Sequence, residues 1–162
     1  MTDTPVADAL AAFRASGSPW LALPFFAGEQ ADTVAARVDA RIAAGARVLP
    51  APDRIFRALT ETPLPEVRAV ILGQDPYPKA GDANGLAFSY VGPRKVPHSL
   101  RVIFEELAAD RGCPVPSSGN LTGWARRGAL LLNAALTTRV GESGARMRLG
   151  WSPLTDDVVS AV

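Results

Sequence analysis

The chain has 162 residues, of which 48% are hydrophobic and 20% charged, and its net charge is +1. These values exclude a disordered tail and predict one globular domain over residues 1–162 with enough apolar material for a core. A single cysteine, Cys113, and a single histidine, His98, exclude an internal disulfide and a Cys/His zinc or iron–sulfur site; no metal or cofactor is expected. No apolar run is long enough to cross a bilayer, and Met1-Thr2-Asp3-Thr4-Pro5 lacks the basic and apolar segments of a secretory signal, so a cytoplasmic protein is expected.

In chain order, Asp3 or Thr4 can cap a helix that opens at Pro5, places Val6, Leu10 and Phe13 on one face and stops at Gly17. Trp20 to Phe26 reads as an apolar loop or short turn. Val34, Val38 and Ile42 recur every four residues and predict an amphipathic helix ending at Gly45. Pro52 can start a short helix burying Ile55, Phe56 and Leu59, and Pro63 and Pro65 predict an extended approach to a first strand, Val67 to Leu72. The unbroken apolar character of that strand is what coverage on both faces requires. Leu100, Ile103, Phe104 and Leu107 mark a helix that Gly112 ends. A connector from Cys113 to Gly119 leads to a short helical stretch around Trp124 and Ala125. Ala129 to Leu132 predicts a second buried parallel strand delivering Asn133 at its carboxyl end. Ala134 to Trp151 reads as mostly loop with Arg139, Arg146 and Arg148 exposed, and Ser152 and Pro153 as the cap and first residue of a last helix.

Charge is unevenly spread. Residues 1–89 carry eight basic and ten acidic side chains, whereas residues 90–150 carry nine basic and four acidic. The basic excess permits contact with nucleic acid, and a solvated charged face explains it as well.

The stretch Val70-Ile71-Leu72-Gly73-Gln74-Asp75-Pro76-Tyr77-Pro78 ends an apolar run in a glycine and follows it with a carboxylate held between prolines. In open α/β folds that is where ligands bind, beyond the carboxyl ends of the strands. By residue geometry alone the same stretch reads as a strand and a turn.

Gly73-Gln74-Asp75-Pro76-Tyr77, with Gly85-Leu86-Ala87-Phe88-Ser89, resembles the water-activating motif of the family 1 uracil-DNA glycosylases. Val96-Pro97-His98-Ser99-Leu100 resembles their proline-rich loop, Leu130-Leu131-Leu132-Asn133 their uracil-reading strand, and Leu149-Gly150-Trp151 the lead into their next helix. The match covers roughly the last two-thirds of the chain, in several motifs in order. It implies a three-layer α/β/α fold with a short central parallel sheet, its last strand possibly missing from this chain, a helical part over 1–66 and a catalytic part over 67–162. It implies a repair enzyme that hydrolyses the uracil–deoxyribose bond, with Asp75 as the catalytic carboxylate and Gln74, Tyr77, Phe88 and Asn133 around the uracil. Pro97, His98 and Ser99 would meet the DNA backbone. Uracil-containing DNA is the implied partner, a proteinaceous inhibitor is a further one, and a monomer is expected. From the residues alone, Asn133 reads as a strand-end cap sooner than as a base reader, Phe88 reads equally as ordinary core, and His98 reads as an exposed loop residue.

Two departures stand out. Pro78 replaces the histidine that normally follows Asp-Pro-Tyr in the family. The family's second signature, His-Pro-Ser-Pro followed by a leucine-tipped loop, has no counterpart in these 162 residues. The chain is therefore expected to be part of a longer product, with reduced activity by itself and an uncovered sheet edge. The alternative is a module that binds uracil or abasic DNA without chemistry. A serine or cysteine hydrolase and a nucleotide-binding ATPase are disfavoured, since neither a nucleophile elbow nor a phosphate-cradling glycine loop occurs.

Overall fold

The computed structural model describes residues 5–142 and 149–162. The cap expected at Asp3 or Thr4 and the exposure expected of Arg146 and Arg148 fall outside them.

Helix α1 (Pro5–Ala15) buries Val6, Leu10 and Phe13, as their spacing predicts. It is followed by two proline-led helical pieces, a 3-10 turn at Pro19–Ala22 and α2 (Pro24–Ala27), where the sequence suggested a loop or short turn. Proline at a first helical position brings its φ already set and gives up an N–H that has no partner there. Helix α3 (Gln30–Ala43) packs on α1 and buries Ala31, Val34, Ala35 and Val38. Its buried Asp39 accepts the backbone N–H groups of Val6 (2.9 Å) and Ala7 (3.0 Å), so the first turn of α1 is satisfied from a neighbouring helix.

A two-residue strand β1 (Val48–Leu49), a 3-10 turn at Pro52–Arg54 and α4 (Arg57–Glu61) follow, with Ile55, Phe56 and Leu59 buried as expected. The approach to the sheet is a 3-10 turn at Leu64–Glu66 instead of an extended segment. Strand β2 spans Ala69–Gly73. After a long loop come α5 (His98–Arg111), ended by Gly112 at φ +62°, then α6 (Thr122–Ala125) and β3 (Ala129–Asn133). The segment read as loop contains β4 (Thr138–Arg139), antiparallel to β1, and the chain continues into α7 (Ser152–Ala161), whose cap is Trp151, one residue earlier than expected.

The architecture is α/β. Strands β2 and β3 are parallel and in register from Ala69 opposite Ala129 to Gly73 opposite Asn133. Leu130, Leu131 and Leu132 are buried, with α4 and α6 against β3. Strand β2 corrects the expectation of coverage on both faces: Ala69 and Leu72 are exposed, Leu72 to 47%, and among the described residues only β3 pairs with it. An apolar run records what a strand is able to bury, not what lies against it.

In the core, Phe13, Phe25, Phe26, Phe56 and Trp151 form an aromatic cluster with ring centroids 5.1–6.1 Å apart. Asp157 of α7 accepts the Phe25 N–H at 2.7 Å, and the Trp151 indole donates to Thr137 Oγ1 at 2.8 Å. The first bond ties α7 to the helical part, and the second joins two parts of the chain after β3. Among the described residues no helix is long and apolar enough to cross a membrane.

Candidate active site

Because β2 and β3 are parallel and in register, Gly73 and Asn133 end side by side and the loops after them leave from the same end of the sheet. The two chains stay joined for two more residues: the N–H of Ala134 donates to Gly73 O (2.9 Å) and that of Ala135 to Gln74 O (3.0 Å). Gln74 is thus fixed through its backbone. Gly73 is required by close approach. A Cβ there would collide with Asn133 Oδ1 and come within 3.0 Å of the Ala87 methyl, so only glycine lets the Asn133 carboxamide lie across the strand end.

A cleft of about 360 Å³ opens at this end, lined by Gln74, Asp75, Tyr77, Phe88, Ser99 and Asn133 together with their neighbours on the same loops. Its size falls in the small-molecule range of about 300–1,000 Å³. Six of the residues singled out in sequence are therefore brought together. Asn133 is buried, Asp75, Tyr77 and Phe88 are half-buried, and Gln74 is exposed at the rim.

The far wall is the loop from Gly81 to Tyr90. Gly85 (φ +88°) turns it hard against the 3-10 turn, where a Cβ would collide with Arg54 O. The N–H of Ala87 then donates to Leu131 O at 2.9 Å, hanging the segment from β3. Phe88 follows at φ +63°, a left-handed conformation rare outside glycine that costs on the order of 1–3 kcal/mol. The Tyr77 hydroxyl donates to Phe88 O at 2.9 Å and holds that carbonyl in place. Burial, then the charge of Asp82 and the neighbouring Tyr90, push the Tyr77 phenol up to about 12, so it remains a neutral donor through the physiological range.

Pro97 caps α5 and His98 opens it; both lie outside the cleft, while Ser99 reaches its lining. His98 is exposed, as the residues alone suggested, and its Nδ1 stands 2.9 Å from Arg101 Nη2. Since a guanidinium only donates, Nδ1 accepts and Nε2 carries the N–H. Cys113 is exposed on the connector and does not line the cleft. Sequence reasoning missed the strain at Phe88 and the parts played by Asp82, Tyr90 and Arg94. Only the opposite charges of Asp82 and Arg94 in flanking loops hinted at a link.

No protein-family model matches the chain. Curated relatives do. The uracil-DNA glycosylase of Bacillus pumilus is 51% identical over 115 residues, 71% of this chain and 51% of the relative. That of Xanthomonas campestris pv. campestris is 43% identical over 150 residues, 93% of this chain and 60% of the relative. Among solved structures, mimivirus uracil-DNA glycosylase superposes with a TM-score of 0.74 at 26% identity, covering 98% of this chain and 55% of that one. A variant of the mimivirus enzyme in complex with UGI gives 0.76 at 29% identity over 88% of this chain and 55% of that one. The chain thus spans roughly half to three-fifths of the length of these proteins. Over most of its own length the chain is thus similar to uracil-DNA glycosylases, and one cleft gathers its strand-end asparagine, its Asp-Pro-Tyr loop and its αL phenylalanine.

Proposed function

We propose that the chain carries the uracil-reading and water-directing site of a DNA repair glycosylase, which hydrolyses the bond between uracil and deoxyribose, releases free uracil and leaves an abasic site. The observation that carries this reading is the shared cleft of Asp75 and Asn133 at the ends of two adjacent parallel strands.

A base inside a duplex is out of reach, so the nucleotide must first be extruded into the cleft. Asn133 then meets the uracil edge, its carboxamide N–H on a ring carbonyl and its C=O on the ring N–H. Cytosine presents the reverse pattern and leaves buried polar groups unpaired. The Tyr77 ring bars the extra methyl of thymine, and Phe88 stacks on the base. As the glycosidic bond breaks, its electron pair leaves with uracil and positive charge develops on the sugar. The Asp75 carboxylate stabilises that charge and orients the water whose oxygen bonds to C1′, the released proton passing to the carboxylate or solvent. Gln74, tied through its carbonyl to Ala135, shapes the water site. Ser99 and the N–H groups at the start of α5, whose Pro97 cap makes no side-chain hydrogen bond to them, suit a backbone phosphate, with Pro97 setting the loop and His98 beside it.

The remaining partners follow from the same reading. The protein acts on uracil-containing DNA as a cytoplasmic monomer, one domain with a helical part over 1–66 behind a catalytic part over 67–162, and is open to a proteinaceous inhibitor of the kind UGI represents. The only histidine stands outside the cleft, which keeps a second reading in play, a module that binds uracil or abasic DNA without cleaving it. Gel shift and base release on one uracil-containing oligonucleotide separate them. Binding with uracil release supports the glycosylase, binding without release selects the module, and no preference for uracil over thymine and cytosine in either assay rejects both.

A further inference from the structure

The reaction described above has no use for Asp82, yet this carboxylate is 5% exposed. Its Oδ2 pairs with the Arg94 guanidinium at 2.5 Å, while Oδ1 has no hydrogen-bond partner among the described residues. Burying a carboxylate in this way is unfavourable compared with an apolar side chain of similar size; it provides a directional tie. Three further contacts gather around it. The N–H of Val91 donates to Asp82 O at 3.0 Å, Ala83 and Tyr90 form an antiparallel bridge, and the N–H of Arg94 donates to Tyr90 Oη at 3.0 Å. Gly92 permits the packing, because a Cβ there would collide with Asp82 Oδ1 and strike Tyr90.

The knot faces two ways. On one side the buried Tyr90 ring stands edge-on to Tyr77, with centroids 5.7 Å apart at 86°, and Tyr77 in turn holds Phe88. On the other side, Arg94 lies three residues before Pro97, the cap of α5, and five before Ser99 in the cleft lining. We propose that Asp82, with Arg94 and Tyr90, is a positioning group that couples the loop leading to Ser99 to the Tyr77–Phe88 wall, so that the grip on the DNA backbone and the shape of the base pocket are set together. The consequence for substrate rests on the proposed function; the coupling itself does not.

The half-exposed Arg94 allows a variant that spares the core, Arg94→Gln, beside Asp82→Asn and the double variant, all in the full-length protein. Hydrogen exchange reads the coupling without turnover. Both single variants are expected to speed exchange about tenfold or more at the amides of Val91 and Arg94, and also at Ala87 and Ser89 across the knot, with the β3 amides of Leu131 and Leu132 unchanged. The double variant is expected to match the singles within about twofold, since a shared tie is lost once. On uracil-containing DNA the same variants should raise KM about three- to tenfold with kcat held within about twofold, and Arg94→Lys should recover part of the loss. An exchange increase confined to Val91 and Arg94, a uniform increase that includes β3, or fully additive single effects would each overturn the proposal. Exchange behaving as expected in a protein that releases no uracil counts against the proposed function and upholds the coupling.

Discussion

Asn133 and Gly73 show how closely individual residues are matched at this site. The carboxamide lies where any side chain on residue 73 would stand, so Gly73→Ala is expected to push Asn133 off the strand end and reduce uracil binding more than stability, as isothermal titration and thermal melting would show. Asn133→Asp exchanges a donor for an acceptor and should erode the preference for uracil over cytosine; strict uracil preference in competitive base release would contradict the assigned role. Tyr77 carries a pH prediction. Its phenol titrates near 10 in the unfolded chain and is held up to about 12 in the fold, so the folded state keeps its proton longer. The stability linked to it is complete below about pH 10 and is lost as the pH climbs toward 12. Tyr77→Phe should remove that loss from the alkaline limb of a stability–pH curve. At this scale the strand ends before Gln74 and at Asn133 were legible from the apolar runs and from Gly73, whereas Asp75, Tyr77 and Asn133 stood out as site residues only through the resemblance of their motifs. The left-handed Phe88 was not, since nothing in an aromatic residue's identity signals a backbone that tertiary contacts impose.

Among the elements, β3 bears most of the packing: Leu130, Leu131 and Leu132 have almost no accessible surface. Leu131→Ala is expected to cost about 2–5 kcal/mol in denaturant unfolding, and because Ala87 hangs from the Leu131 carbonyl, it should also loosen the wall that carries Phe88. A change of under about 1 kcal/mol would mean that β3 is not the core strand described. The periodicity of α1, α3 and α5 and the glycines after them made those helices readable before any coordinates. The ribbon of β1 and β4 was invisible, since two-residue strands have no period to detect, and the exposed flank of β2 was misread because its apolar run carries no record of its neighbours.

On the scale of the whole molecule, a net charge of +1 with a basic excess in residues 90–150 fits a protein that meets DNA over a limited face. If α5 and Ser99 grip about two phosphates, the affinity for uracil-containing duplex should fall about tenfold between about 50 and 200 mM salt, a slope that fluorescence anisotropy measures directly. A much steeper slope would point to a broad electrostatic surface in place of a local grip. The likeness to uracil-DNA glycosylases, the α/β frame and the co-location of the motifs all converge on one end of the sheet, where the loop after β2 and the end of β3 bring a carboxylate and a carboxamide to one cleft. The decisive measurement is single-turnover uracil release by the full-length protein and its Asp75→Asn variant, with DNA binding measured on the same samples. The account predicts release on the order of a hundredfold slower or more in the variant with binding within about threefold; equal release rates, or a binding loss that explains the whole effect, would contradict it.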